Sequence, residues 1–295
     1  MSDESYYGRP ILKEPVWTWE VPVYFFTGGL GAGATLLSLG ARAAGSDRLA
    51  RRTLFLGATA DAVSPLLLVS DLGRPERFLN MLRVFKVTSP MSVGSWVLAA
   101  SGGASGVAAT CEALGILPRL KRAAESFAAL LAPVLATYTA VLLADTAIPA
   151  WHEAGRELPF VFAGTSATTA GAAALMLVPP VEAAPARRLL LLGALTEGAA
   201  MHLMERRLGD LAGPYSEGSC GRFTRLAQGL TLAGTALAAA LGRRRRGAAV
   251  AGGALVLAGG LCLRLAVFRA GSQSARDPRY TVGPQRRRLE QRRRP

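Results

Sequence analysis

Acidic residues are few in this 295-residue sequence, 20 Asp and Glu against 34 Lys and Arg, and over long stretches charge of either sign is missing. Residues 21–41, 91–111, 126–144 and 158–181 contain no Asp, Glu, Lys or Arg. Each approaches or exceeds the roughly 20 residues that a helix needs to cross a hydrocarbon layer of about 30 Å. Such runs exclude a soluble domain built from periodic amphipathic elements. Cysteine is also scarce: Cys111, Cys220 and Cys262 are too far apart for a zinc knuckle or the clustered ligands of an iron–sulfur site. Cys111 and Cys262 fall in or beside apolar runs and read as small buried hydrophobes. The two histidines, His152 and His202, do not supply the paired axial ligands of a haem-b subunit. The expectation is a chain with no metal site, haem or iron–sulfur cluster of its own. The first twenty residues lack a basic segment followed by an apolar one, so no cleaved leader is expected.

Four further apolar runs, 53–70, 189–204, 226–242 and 247–263, are shorter or interrupted by one charge. Together the runs predict an all-α, polytopic membrane protein of about eight transmembrane helices, arranged as two four-helix bundles. The chain divides into an N-terminal interfacial segment (1–20), a membrane domain (21–268) and a basic, flexible tail (269–295) that ends in Arg286–Arg288 and Arg292–Arg294. A net charge of +14 raises the question of nucleic acid, but the basic residues fall in short loops and the tail, without interleaved aromatics. Anionic headgroups account for them, and no nucleic-acid partner is expected. With eight spans, Arg42, Arg48, Arg51, Arg52, Arg119, Lys121, Arg122, Arg187, Arg188 and Arg243–Arg246 share one face. The positive-inside rule makes that face cytoplasmic and puts the termini on the outer side of the plasma (cytoplasmic) membrane. The longer loops, 71–90, 145–158 and 205–224, lie on the terminus side, where a partner would dock. Gly29, Gly33, Gly102, Gly103 and Gly106 predict close helix contacts, and the string GGLGAGA, with no strand before it, reads as helix packing rather than a dinucleotide loop.

The segment from Ser70 to Trp96, SDLGRPERFLNMLRVFKVTSPMSVGSW, carries the most information. Gly73 and Pro75 end a helix, Phe78, Leu79, Leu82 and Phe85 recur at helical spacing as in an interfacial helix, and Ser89-Pro90 starts the next span. This stretch resembles the DLGRPxRF…SPMSxGxW signature of the polysulfide reductase membrane-subunit family (NrfD/PsrC type). Residues Trp17–Phe26 with the glycines that follow resemble that family's first helix. The resemblance implies a subunit that is not an enzyme on its own. It would be a membrane anchor reactive with menaquinone or ubiquinone, paired with a ferredoxin-like iron–sulfur subunit and a molybdenum or tungsten pterin catalytic subunit. It also implies a quinone site at Tyr24 and Tyr138, beside Trp19, Glu20 and Asp145, and docking of the partner near Asp71, Arg74, Arg77 and His152. Two-electron quinone chemistry needs donors to the carbonyl oxygens, an apolar slot and a proton route. Tyr24 and Tyr138 can donate, Glu20 or Asp145 can relay, and Phe25, Phe26 and Trp19 can line the slot. An interfacial aromatic belt would put the same residue types at span ends.

Asp61 and Glu197 stand within predicted spans, where a charge is costly unless paired, hydrated or protonated. They read either as proton-relay carboxylates or as protonated side chains bonded to neighbours such as Thr59 and Thr196. Arg264 reads as a residue snorkelling at the end of the last span. Alternatives to the quinone-reactive anchor are a proton-conducting or transport subunit using the two carboxylates, and a purely structural anchor.

Overall fold

The computed structural model describes residues 10–282, so the arginine triplets of the tail and the first nine residues lie outside the described residues. Eight helices of 20 to 31 residues dominate. They are α1 (Glu20–Ala43), α2 (Asp47–Asp71), α4 (Pro90–Leu114), α5 (Pro118–Ala144), α7 (Leu158–Leu177), α8 (Ala184–Leu208), α10 (Gly218–Ala240) and α11 (Arg246–Arg276). The short helices α3 (Arg77–Met81), α6 (Pro149–Glu153) and α9 (Gly213–Ser216) sit in the three longer loops, and among the described residues there is no strand.

The helix boundaries follow local chemistry. Ser89 caps α4 by accepting from the Ser92 amide, with Pro90 in the first turn, where its missing N–H is not needed. Gly115 ends the same helix with φ of 68°, a left-handed geometry that a side chain resists. Gly73, at φ of 61°, turns the chain out of α2. The interfacial helix expected after it is only five residues long, ending before Leu82. Phe85 lies beyond it and packs edge-on against Trp96 of α4, with ring centres 6.2 Å apart.

Six of the eight long helices, α1, α2, α4, α5, α7 and α11, are long and apolar enough to cross a membrane. The other two, α8 and α10, match them in length but carry charges toward their ends, so composition alone gives six spans where the sequence reading gave about eight. Both nevertheless turn leucines outward, among them Leu192, Leu195 and Leu232. Apolar side chains facing out from the middle of helices suit a lipid solvent.

The packing forms two rings of four. In the first, α1 meets α2 and α5, and α4 bridges α2 to α5. In the second, α7 meets α8 and α11, and α10 bridges α8 to α11. The rings join where α1 and α5 meet α7 and where α1 meets α11. Small residues make that seam: a Cβ on Gly29 or Gly33 of α1 would run into Ser166 and Ala170 of α7, so the two backbones nearly touch. The same role expected for Gly103 and Gly106 is not found, since neither has a neighbour within 4 Å. They point away from the bundle, because the inward face of α4 is set by Gly94, Leu98, Ser101, Ser105 and Ala108.

A second correction concerns Arg264. It is no snorkelling terminus but a mid-helix residue, only 1% exposed, because α11 continues to Arg276, beyond the expected start of the tail. The apolar window broke at the arginine, whereas the helix, with small residues such as Ala266, Ala270 and Gly271 at its buried face, did not.

Candidate functional site

At the end of the first ring that carries the three longer loops, a narrow cavity of about 100 Å³ opens between α1, α2, α4 and α5. Its base holds Tyr24 of α1 and Tyr138 of α5, both buried, with their hydroxyls hydrogen-bonded to each other. Phe25, Val21, Leu68, Met91 and Leu98 supply apolar walls, and Phe78 and Met81 of α3 close the slot from the loop side. A slot with two converging hydroxyls in a mostly apolar wall, with Asp71 and Ser95 as its other polar lining residues, suits a small planar ligand with oxygen acceptors.

Helix geometry accounts for the tyrosine pair. Tyr24 lies one turn into α1, and Tyr138 lies two turns before the end of α5. The two helices pack directly, which places both rings at one depth. On the third side is Gly94 of α4, where any Cβ would overlap the Tyr138 ring. The glycine of the SPMSVGSW string is therefore a requirement of the cavity, and its place in that motif was the available signal for it.

The other site candidates are distributed as follows. Trp19 is 64% exposed and outside the slot. Its neighbour Trp17 lines the slot instead and stacks on the buried Trp151 of α6 at 5.8 Å. Glu20 opens α1 and accepts a hydrogen bond from the Thr18 hydroxyl. Asp71, expected at a docking face, lines the slot and accepts from both the backbone N–H (3.1 Å) and the hydroxyl (2.6 Å) of Thr18. It thereby ties the N-terminal approach to the end of α2. Arg74, Arg77 and His152 are exposed on the same end of the molecule, and the His152 Nδ1 lies 2.9 Å from the Ala144 carbonyl oxygen. Asp145 is exposed in a separate groove that reaches Tyr138 from outside, alongside Pro90, Thr137 and Val141.

The two carboxylates expected within spans, Asp61 and Glu197, belong to different rings. Asp61 of α2 is 2% exposed; its Oδ2 accepts from Ser105 of α4 at 2.8 Å, and its Oδ1, turned toward Gly31 of α1, has no partner among the described residues. Thr59 does not reach it, donating instead to the Phe55 carbonyl. Glu197 of α8 lies against the backbone of Gly164 in α7, with Thr165 and Arg264 as its polar neighbours. Thr196 donates to the Leu192 carbonyl instead. Arg264 stacks on the Phe162 ring at 3.6 Å and donates to the Phe162 carbonyl at 3.0 Å. Phe162 in turn packs on Phe25, and Phe25 on Tyr24, so aromatic contacts link the second ring to the slot.

At the opposite end of the first ring, sequence reasoning missed a buried carboxylate. Glu125 is 1% exposed within α5. It accepts from the Ser38 hydroxyl at 2.6 Å and pairs with Arg42 at 2.8 Å, both on α1. It escaped notice because it stands one residue before the charge-free run.

The model of the family described as "Polysulphide reductase, NrfD" matches residues 11–204, which cover α1 to most of α8. One curated relative, "Protein NrfD" of Escherichia coli (strain K12), is 36% identical over 85 residues. That alignment spans 27% of this chain and 27% of the relative.

Proposed function

Because the chain belongs to the NrfD family of polysulphide reductase membrane proteins, we propose that it is the quinone-reactive membrane anchor of a multi-subunit oxidoreductase. In this reading it exchanges electrons between the quinone pool and an iron–sulfur partner. The observation that carries the proposal is the hydrogen-bonded Tyr24–Tyr138 pair at the base of the apolar slot. A quinone carbonyl is an acceptor only, and with one phenolic O–H spent on the hydrogen bond within the pair, the other is left to donate to it. Trp17 and Phe25 flank the ring, and the isoprenoid tail of menaquinone or ubiquinone leaves between α4 and α5 into lipid.

The partner would be a ferredoxin-like subunit, joined to a molybdenum or tungsten pterin enzyme, seated over α3 and α6 at Arg74, Arg77 and His152. Electrons reach the slot from that side, so Asp71 has a role in both: it lines the slot and anchors Thr18 beneath the partner. Asp61 is a relay carboxylate for the slot, while Glu197 and Arg264 lie further off, beyond Phe162.

The test is to purify the chain with its associated subunits in mild detergent and follow oxidation of a short-chain quinol. Tyr24→Phe and Tyr138→Phe are each expected to slow quinone turnover about 10²-fold or more, as loss of a positioned proton donor does, with subunit composition unchanged. Full turnover in both variants would move the site elsewhere, and a preparation with no iron–sulfur subunit and no quinone exchange would sink the proposal. Proton leak in vesicles that lack any electron donor would favour the conducting subunit instead.

A further inference from the structure

At the end of α2 farthest from the slot, three arginines and an aromatic ring share one helix face. Arg48, Arg51, Arg52 and Phe55 follow at spacings that stack on one side of a helix, and together they wall a cavity of about 360 Å³. Arg48 reaches Glu182 at 2.9 Å, in the connection between α7 and α8. Arg51 lies 5.9 Å from the centre of the Phe55 ring and 3.6 Å from Glu112 of α4. That carboxylate is shared, with Lys121 nearer at 2.6 Å and Arg42 at 4.0 Å. Arg52 is exposed and has no partner among the described residues. A guanidinium carries five N–H donors in a fork that fits phosphate oxygens, so most of the donors around this cavity are unused by the protein.

Beyond the arginines the surface turns apolar and acquires a trough. On α2 the same stripe continues through Thr59, Ala62 and Leu66, all exposed. Beside it α4 runs the opposite way, set in register by the Arg51–Glu112 and Asp61–Ser105 contacts. Gly106 and Gly103 of α4 therefore lie alongside the stretch from Phe55 to Leu66, and a Cβ on either would meet nothing within 4 Å. They make no room for a neighbouring helix of this chain, yet each weakens its own helix. The outward threonines, Thr59 and Thr110, turn their hydroxyls back to the Phe55 and Gly106 carbonyls at 2.8 Å, which leaves their methyl groups for the surroundings. From Glu112 to Gly103, α4 rises roughly 14 Å at about 1.5 Å per residue, close to half of a hydrocarbon layer of about 30 Å. The trough has the length of one leaflet.

We propose that this face binds an anionic phospholipid of the leaflet opposite the slot. Arg48, Arg51 and Arg52 hold its phosphate, the glycerol rests on Phe55, and one acyl chain fills the trough between α2 and α4 along Gly106 and Gly103. Charge complementarity selects an anionic headgroup, and the leaflet-long glycine trough selects a lipid. A dissolved phosphate would use the arginines but neither Phe55 nor the trough. A second protein helix would use the trough but leave the guanidinium donors unanswered. Because Arg48 also holds Glu182, the headgroup fastens the first ring to the α7–α8 connection of the second. The proposal is independent of the quinone reading, since no residue in it lines the slot.

The test uses the chain with its associated subunits, purified in mild detergent and washed free of lipid. Dioleoyl phosphatidylglycerol, dioleoyl phosphatidylcholine and glycerol 3-phosphate are titrated in separately while the melting temperature is followed. Phosphatidylglycerol is expected to raise it to a plateau, and the other two to leave it unchanged. Arg52→Gln removes an exposed cation with no protein partner, so the lipid-free melting temperature should stay at the wild-type value. The phosphatidylglycerol concentration at half effect is expected to rise about fivefold. Gly106→Leu fills the trough with all three arginines in place and is expected to weaken the response by a similar factor. Arg83→Gln, on the slot face, is expected to leave it as in wild type. Equal stabilisation by phosphatidylcholine, or a wild-type response in either Arg52→Gln or Gly106→Leu, would overturn the proposal. Stabilisation by glycerol 3-phosphate at the same concentrations would overturn it too, by making the cavity a site for soluble phosphates.

Discussion

Gly94 shows how much of the site depends on a side chain that is not there. A Cβ at this position of α4 would overlap the Tyr138 ring, so Gly94→Ala forces either the ring or the α4–α5 contact to move. Overpacking of this kind costs about 1–3 kcal/mol. The variant is expected to assemble with a lowered melting temperature and to lose quinone affinity more than it loses stability. An unchanged Michaelis constant for the quinol would mean that the tyrosine ring is not held from this side. Arg264 makes the complementary case. Its guanidinium is buried on Phe162 with Nε and Nη1 unpartnered among the described residues, and its nearest carboxylate is Glu197. Arg264→Met alone is expected to destabilise the bundle by about 1–3 kcal/mol, because the Phe162 carbonyl loses its donor and the buried Glu197 loses a neighbouring cation. The double variant with Glu197→Gln should recover part of that loss in detergent melting curves. Strict additivity of the two changes would show that the groups do not interact.

Among the elements, the helices were legible in the sequence to the extent that lipid dictates their composition. Charge-free runs marked α1, α4, α5 and α7 directly. The ends of the others were not readable from hydropathy, because α8, α10 and α11 continue through charges that the fold accommodates. Arg264 lies under an aromatic ring, and Arg207 at the end of α8 pairs with Glu157 at the start of α7. In the site, Tyr24 and Tyr138 could be named from motif resemblance. Glu125 could not, since its burial depends on which helix lies opposite, and Trp17 and Gly94 stood in the matched segments without a sign that one lines the slot and the other leaves room for the Tyr138 ring. The Glu157–Arg207 contact also gives a test at this scale. Both guanidinium nitrogens Nε and Nη2 donate to the Glu157 carboxylate, which holds it below its ordinary value of 4.5. A carboxylate depressed in the folded state stabilises it above the unfolded value and stops doing so as pH falls through the folded one. Arg207→Gln is thus expected to lower stability by about 1 kcal/mol or less at neutral pH. The difference from wild type should shrink as the pH drops below 4.5; a constant difference in melting temperature would remove the pair from the α7–α8 junction.

The whole molecule has a polarity of charge as well as of function. Arg42, Glu112, Lys121, Glu125 and Arg51 form one ionic network at the face opposite the slot, and Arg48 pairs with Glu182 beside it. Arg246 on the same face donates to the carbonyls of Met176 and Val178. Arg52, Arg119, Arg122 and Arg188 near the starts of α2, α5 and α8, and Arg243–Arg245 in the connection before α11, belong to the same face, which the positive-inside rule predicts to be cytoplasmic. On that orientation the slot, α3 and α6 face outward. The native cysteines make this measurable, since Cys111 and Cys220 are buried and Cys262 is partly so, which keeps background labelling low. A cysteine at Asn80 in α3 is expected to react with a membrane-impermeant maleimide on intact cells, and one at Arg119, at the start of α5, only after the cells are opened. The reverse pattern would place the slot, α3 and α6, and with them the expected docking face, in the cytoplasm.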